Sequence, residues 1–70
     1  MEISIRDGEE FIRLGQALKK AGIVGSGSDA KMIIANGEVT VNQVTEERRG
    51  RKLYPGDTVA YGDEVFQVVK

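Results

Sequence analysis

The spacing of the apolar residues changes at Asn36-Gly37, and this change limits the possible folds more than any other feature of the sequence. Before that point, four apolar residues recur at the spacing of one helix face: Phe11, Leu14, Leu18 and Ala21. After it, Val39 and Val41 alternate with polar residues, as in a strand with one buried face. A chain of 70 residues is too short for either half to fold alone, so the helical half must pack on the strand half. We therefore expect a single domain over residues 1–70.

The N-terminal half begins with a predicted short strand and a predicted amphipathic helix. Ile3 and Ile5 alternate with polar residues and indicate the strand. Asp7 stands three residues before Glu10 and predicts the start of the first helix as a capping box. Gly22 predicts the end of this helix, because glycine readily adopts the left-handed conformation found there.

A second amphipathic helix is predicted to begin at Ser26. The hydroxyl of a serine can accept a hydrogen bond from an amide of the first turn, where Asp29 also suits the helix dipole. Three residues form the predicted inner face: Ala30, Ile33 and Ile34. Asn36-Gly37 is expected to end the helix.

The second half predicts an antiparallel sheet of about four short strands, at residues 38–41, 44–45, 58–61 and 65–69. Asn42-Gln43 can form a two-residue turn between the first two strands, although glutamine resists the positive φ that such a turn needs. Tyr54-Pro55-Gly56-Asp57 predicts a further turn, and Gly62-Asp63 predicts the last hairpin. The predicted fold class is therefore α+β, with a short strand and two N-terminal amphipathic helices packed on a small antiparallel sheet.

The residue types present argue against catalysis. The chain has no cysteine and no histidine, which excludes disulfides, thiolate metal sites, a histidine general base and a Ser-His-Asp triad within it. Ser28 and Lys31 match the Ser-x-x-Lys pattern of penicillin-binding enzymes, but the first turn of a helix explains these residues better. Neighbouring carboxylates such as Glu46-Glu47 point apart, so they cannot share a proton or a metal ion. We expect no enzymatic activity, no cofactor and no bound metal.

The hydropathy pattern argues against a membrane partner. No apolar run approaches the roughly 20 residues of a membrane span, and the acidic N-terminal segment does not resemble a signal peptide. The lack of cysteine fits a reducing compartment. We expect a cytoplasmic protein that binds neither a membrane nor a small-molecule substrate.

A strongly basic segment lies within a chain whose net charge is only -1. Four of the five positions 48–52 are cationic: Arg48, Arg49, Arg51 and Lys52. Arginine binds phosphate with two parallel hydrogen bonds, and Gly50 lets the backbone approach a ligand closely. Because charges more than about 10 Å away are largely screened, this local charge decides whether a polyanion is attracted. The other interpretation is a solvated loop that Glu46 and Glu47 neutralise.

Two further basic candidates lie outside residues 48–52, on the first predicted helix. Arg13 and Lys20 are seven residues apart and are expected to share a face of the first helix, turned away from its apolar stripe. Tyr54 is the sole aromatic residue near the basic segment in sequence. Stacking of bases on aromatic side chains of a sheet, as in RNA-recognition domains, is therefore not expected.

The order of these motifs resembles the S4-like RNA-binding domain. The matching motifs are, in chain order, an Arg-Leu pair on the first helix, a glycine after it, a serine-capped second helix, a Gly-x-Val-x-Val-Asn motif and a later Gly-Asp pair. In the same order, the residues are Arg13-Leu14, Gly22, Ser26 with Ala30-Lys31, Gly37 to Asn42, and Gly56-Asp57. Their order and spacing together are more specific than any one of them. The chain is similar to the short standalone YbcJ/YaaA-type branch of that family.

The resemblance implies a non-catalytic protein with an αL motif that binds structured RNA, either ribosomal or transfer RNA, and that associates with ribosomal particles. The predicted RNA-binding residues are Arg13, Lys20, Lys31, Arg48, Arg49, Arg51 and Lys52. Three sites depart from the family pattern, one of them being Asn42-Gln43 in place of Asn-Gly. Gly27 follows the capping serine where many members have arginine, and Gly15 stands where an aspartate follows the Arg-Leu pair. RNA binding is therefore expected to depend mainly on residues 48–52.

The alternative interpretation is a protein-interaction adaptor of β-grasp-like type, associated with ribosomes. The Gly-x-Val-x-Val-Asn motif and the later Gly-Asp pair are also similar to sulfur-carrier proteins. Those proteins need a C-terminal Gly-Gly, whereas this sequence ends at Val69-Lys70, and an early pair of helices does not suit their fold. Binding to ribosomal particles that survives nuclease treatment would favour an adaptor over an RNA-binding protein.

Overall fold

The computed structural model describes the whole chain, Met1–Lys70. It contains seven short strands and two helices. In chain order these are β1 Glu2–Ser4, β2 Ile12–Arg13, α1 Leu14–Lys20, α2 Gly27–Ala35, β3 Val39–Val41, β4 Val44–Thr45, β5 Lys52–Leu53, β6 Thr58–Tyr61 and β7 Glu64–Val69. The α+β class and the two helices before the main sheet agree with the sequence prediction.

The strands form a five-stranded sheet and a separate two-stranded ribbon. The order in the large sheet is β1-β7-β6-β3-β4, and its last four strands are antiparallel, as predicted. The prediction of a purely antiparallel sheet is wrong, because β1 pairs parallel to β7, with Ile3 beside Val68. Ile3 and Ile5 nevertheless face the core as expected. The ribbon joins β2 to β5 and was not predicted.

One apolar core joins the helices to the large sheet. Its thirteen buried residues come from both halves of the chain: Ile3, Ile5, Leu14, Ala17, Leu18, Ala30, Ile34, Val39, Val41, Leu53, Val59, Phe66 and Val68. The predicted inner faces of α2 and β3 are therefore confirmed, with Ile33 only partly buried. On the first helix Leu14 and Leu18 lie in the core, whereas Ala21 is only partly buried. Phe11, the first residue of the predicted stripe, lies outside this core. Its different position reflects a later start of the first helix.

The prediction that the first helix starts at Asp7 is wrong. Gly8 has φ 86° in a turn, and Ile12-Arg13 then extends to pair with Lys52-Leu53. The helix begins only at Leu14, so Arg13 and Lys20 do not share a helical face. A strand pairing with a distant segment has overridden the local helical spacing. Gly22, at φ 76°, follows the last turn as predicted.

The bounds of α2 follow the sequence signals closely. The Ser26 hydroxyl accepts a hydrogen bond from the Asp29 amide at 3.1 Å, as the capping prediction required. Asn36 ends the helix, and Gly37 has φ 75°. Neither helix of the structure is long and apolar enough to cross a membrane.

A polar cluster at Asn42 ties the β3–β4 turn to the turn before β6. The Asn42 side chain donates to the Asp57 carboxylate at 3.0 Å and accepts from the Thr58 amide at 3.0 Å. Asp57 in turn accepts from the Tyr54 amide at 2.7 Å. The Asn and Gly-Asp motifs thus hold two turns together, and this fixes the place where residues 48–54 return to the sheet.

Asn42 and Gln43 form the predicted turn with positive φ at both residues, 51° and 72°. Glutamine in this conformation costs about 1 kcal/mol, which glycine avoids. We expect Gln43→Gly to raise the free energy of unfolding by about 1 kcal/mol in urea titrations. Gln43→Ala keeps the backbone strain and should give no such increase, so equal stability of the two variants would contradict this explanation.

Candidate nucleic-acid interface

The basic segment is attached to the start of α1 by its own backbone. The amide of Leu14 donates to the carbonyl of Arg51 at 2.8 Å, and the amide of Gly15 donates to the carbonyl of Arg49 at 3.0 Å. The first amides of a helix have no partner within the helix, so these two carbonyls act as the hydrogen-bond acceptors that a capping side chain would otherwise provide. The segment is therefore held against α1 rather than left as a free loop.

Gly15 permits this close contact. A Cβ atom at Gly15 would lie 2.7 Å from Cγ of Arg49, a distance that would force the arginine side chain to move. The stem of Arg49 thus packs directly over the helix at Gly15. This gives a structural reason for glycine at the position where the family pattern has aspartate.

The buried side chain of Glu46 binds two of the arginines. Its amide donates to the carbonyl of Val39 at 3.0 Å, and its carboxylate is buried, with 6% of the residue exposed. It accepts from Nε of Arg48 at 3.0 Å and from Nη1 of Arg51 at 2.7 Å. Hydrogen bonds from Arg48 and, to a smaller extent, from Arg51 lower the pKa of Glu46 from 4.5 to about 2, although burial by itself would raise it. Both salt bridges of the chain are made by this one carboxylate.

Three shallow grooves meet at Arg13, which lines all of them. The first, of about 430 Å³, also has Arg6 and Lys20 in its wall. The second, of about 310 Å³, lies between α1 and the basic segment and is lined by Lys19 and Arg49 among others. The third, of about 470 Å³, is lined by Gly50 and cationic side chains only: Arg13, Arg48, Arg51 and Lys52.

The charges of the chain are therefore segregated. Eight of its ten lysines and arginines line these grooves, and we call them the basic surface: Arg6, Arg13, Lys19, Lys20, Arg48, Arg49, Arg51 and Lys52. Of the eleven acidic residues only Glu9 lines a groove. The nearly neutral total hides a cationic face, because most carboxylates lie elsewhere.

Six of the seven residues predicted from the sequence lie on the basic surface. Lys20 is there although it shares no helical face with Arg13, and its Nζ donates to the carbonyl of Ser4 at 2.6 Å. Arg13 donates to the carbonyl of Gly50 at 2.8 Å, so α1 and the basic segment are joined by a side chain as well. Lys31, the seventh, is exposed on α2 and lines none of the three grooves.

Two of the cations that line the grooves, Arg6 and Lys19, are not among the residues predicted from the sequence. Arg6 follows the first strand, and nothing near it in sequence suggests a ligand-binding role. The sequence prediction placed Lys20 on the helix face of Arg13 and did not include Lys19. In the structure Lys19 lies on α1 and lines the second groove together with Arg49.

Comparison with known families confirms the resemblance drawn from the sequence. The sequence model of a family described as the S4 domain matches residues 3–69. A relative from Bacillus subtilis (strain 168), named "Probable ribosome maturation protein RlbA", is 51% identical over 61 residues, which is 86% of each chain. YbcJ of Escherichia coli (strain K12), provisionally named an RNA-binding protein, is 38% identical over 58 residues, which is 83% of each chain.

A solved structure shares the whole fold. The solution structure of YbcJ from E. coli, described as containing an αL motif involved in RNA binding, superposes with a TM-score of 0.73. The two aligned sequences are 33% identical, and the alignment covers 99% of this chain and 86% of YbcJ. The helix pair and small sheet found here are thus an architecture already seen in a relative.

The lowered pKa of Glu46 predicts a specific loss of stability in acid. Well above pH 4.5 the carboxylate is ionised in both the folded and unfolded chain, so its contribution is complete there. Between pH 4.5 and about 2 the unfolded chain takes up the proton first, and the contribution is lost. We expect Glu46→Gln to lower the free energy of unfolding at pH 7 by about 2 kcal/mol.

Urea titrations of the wild type and Glu46→Gln between pH 7 and pH 2 test this prediction. The difference between the two should shrink as the pH falls through this range. Glu47→Gln is the matched control, since Glu47 is exposed and makes no salt bridge. A constant difference between wild type and Glu46→Gln down to pH 2 would contradict the role assigned to this carboxylate.

Proposed function

The chain belongs to the S4 domain family, and on that premise we propose that it binds structured RNA through the basic surface. The observation that carries this proposal is the convergence of eight cationic side chains on grooves that meet at Arg13. Phosphate contacts supply most of the affinity in such complexes, and arginine and lysine make most of these contacts.

Most of the cations on the basic surface are free to bind phosphate. Arg48 and Arg51 share the single carboxylate of Glu46, which balances one of their two positive charges. The other six form no salt bridge, and four of them line the second and third grooves: Arg13, Lys19, Arg49 and Lys52. We expect these four unpaired cations to make the main phosphate contacts.

The form of the surface favours a folded RNA over a single sequence motif. Two of the grooves are lined without any apolar side chain, and the cationic groups are set by the helix and by the backbone of the basic segment. Cationic residues whose backbone positions are held in this way favour phosphates at matching separations, as in recognition of RNA by shape. Selectivity then comes from the fold of the RNA and less from its base edges.

We propose that the RNA is ribosomal RNA, bound while ribosomal particles assemble. The support is the name of the B. subtilis relative, a ribosome maturation protein, at 51% identity. Transfer RNA is the alternative within the same chemistry. Direct competition between ribosomal RNA fragments and transfer RNA for the purified protein distinguishes the two. Crosslinking in cells followed by sequencing of the attached RNA would identify the natural site.

Removing three of the unpaired cations tests the basic surface. We expect the triple variant Lys19→Ala/Arg49→Ala/Lys52→Ala to bind a structured ribosomal RNA fragment about 100-fold more weakly. For four phosphate contacts the slope of log K against log salt should be about -3 for the wild type, and about -1 for the variant. Filter binding or fluorescence anisotropy at salt concentrations of about 50–200 mM provides both the affinity and the slope.

Lys70→Ala is the control for the loss of a cation outside the basic surface, because Lys70 is exposed and lines no groove. It should leave both affinity and slope almost unchanged. Lys31→Ala in the same assay decides the remaining sequence prediction, and a loss of affinity would extend the interface to α2. Equal binding by wild type and the triple variant would contradict the proposal. Association with ribosomal particles that survives nuclease treatment would favour the protein adaptor instead.

A further inference from the structure

The β2–β5 ribbon places aromatic and cationic side chains side by side. Arg13 pairs with Lys52 in the antiparallel register, and Ile12 pairs with Leu53. Phe11 and Tyr54 come one position further along the same register. Side chains alternate between the two faces of a ribbon, and Leu53 is fully buried, so Lys52 and Tyr54 both lie on the outer face. The four residues Phe11, Arg13, Lys52 and Tyr54 thus form one group, although the sequence separates them into two segments.

Phe11 is the centre of this group. Its ring centroid lies 6.1 Å from that of Tyr54, with the two planes tilted by 56°. The guanidinium carbon of Arg13 is 5.4 Å from the Phe11 centroid, and Nζ of Lys52 is 4.9 Å from it. Both cations thus lie within the distance at which a ring attracts them. The Phe11 ring already contacts these three neighbours, whereas Tyr54 remains 47% exposed.

The backbone holds Tyr54 in a fixed turn. Its amide donates to the Asp57 carboxylate at 2.7 Å, and its carbonyl accepts from the Asp57 amide at 3.0 Å. Pro55 follows and restricts the backbone further. The amide of Gly56 donates to the carbonyl of Val68 in β7 at 2.8 Å. An exposed aromatic ring on such a turn is presented at little entropic cost, which suits a binding contact.

We propose that the ring of Tyr54 stacks on an unpaired base of the bound RNA, while Lys52 and Arg13 hold the adjoining phosphate. This inference rests on the proposed RNA-binding function and adds a subsite to it. Unpaired bases in loops and bulges stack on exposed aromatic side chains, and flanking cations neutralise the backbone beside them. No local pattern in the sequence indicates such stacking, because Phe11 is far from Tyr54 along the chain. Pairing of β2 with β5 supplies the missing second ring and places both cations next to it.

The subsite predicts that the protein distinguishes a bulged RNA from a fully paired one. Two hairpins of equal length and charge are compared, one with a single unpaired adenosine and one without. Wild type should bind the bulged hairpin about tenfold more tightly, as expected for one stacked base. Tyr54→Leu keeps an apolar side chain but has no ring, so it should lose this preference. Tyr54→Phe keeps the ring and should retain it.

Tyr54→Trp supplies a direct reading of stacking, because the chain has no other tryptophan. Its fluorescence should be quenched by the bulged hairpin and much less by the paired hairpin. Thermal unfolding of each variant confirms that the fold is kept, and Val65→Ala, an exposed truncation on β7, serves as a matched control.

The outcomes separate this inference from the proposed function. If wild type and Tyr54→Leu bind both hairpins with equal affinity, and no quenching occurs, the stacking subsite is wrong and RNA binding by the basic surface stands. If neither hairpin nor a ribosomal RNA fragment binds, the proposed function itself fails and the subsite with it. A preference lost in Tyr54→Leu, kept in Tyr54→Phe and accompanied by quenching supports the subsite.

Discussion

Two backbone hydrogen bonds, from Leu14 to Arg51 and from Gly15 to Arg49, determine where the candidate interface lies. They set the start of α1, since amides that would otherwise need a cap are bound by the basic segment. They also fix the guanidinium groups relative to the helix, and Gly15 leaves room for the stem of Arg49. Glu46 stabilises the same segment from beneath. A disordered arginine-rich loop would have to be ordered on binding, whereas here much of that entropic cost is met in folding.

Local signals in the sequence were sufficient for most of the fold. Ser26 and Asn36-Gly37 bound α2, and the turns at Asn42-Gln43 and Gly62-Asp63 set the hairpins, because each depends on a few adjacent residues. The start of α1 could not be predicted in this way. Apolar spacing from Phe11 onward fits a helix, but Ile12-Arg13 gains a strand partner about forty residues away. The parallel pairing of β1 with β7 is likewise a contact between the two ends of the chain, which no local pattern specifies.

The candidate site was predictable in composition but not in arrangement. The arginine-rich run at residues 48–52 was evident from the sequence, and so was the nearby Glu46 as a competing partner. The sequence could not show that one buried carboxylate would take both Arg48 and Arg51 and leave Arg49 free. Nor could it place Lys19 in one groove with Arg49, or Phe11 beside Tyr54, since both arrangements depend on the pairing of segments that are distant in sequence. Charge can be counted along a chain, whereas its distribution over a surface follows only from the fold.

The central claim is that structured RNA binds at the grooves that meet at Arg13. NMR chemical-shift mapping of the labelled protein during titration with a folded ribosomal RNA fragment tests it most directly. The account predicts that amide shifts concentrate at residues 13–19 and 48–54, and that β4 and the end of β7 change little. Shifts confined to those strands, or to the end of α2, would place the RNA on another face and contradict the account.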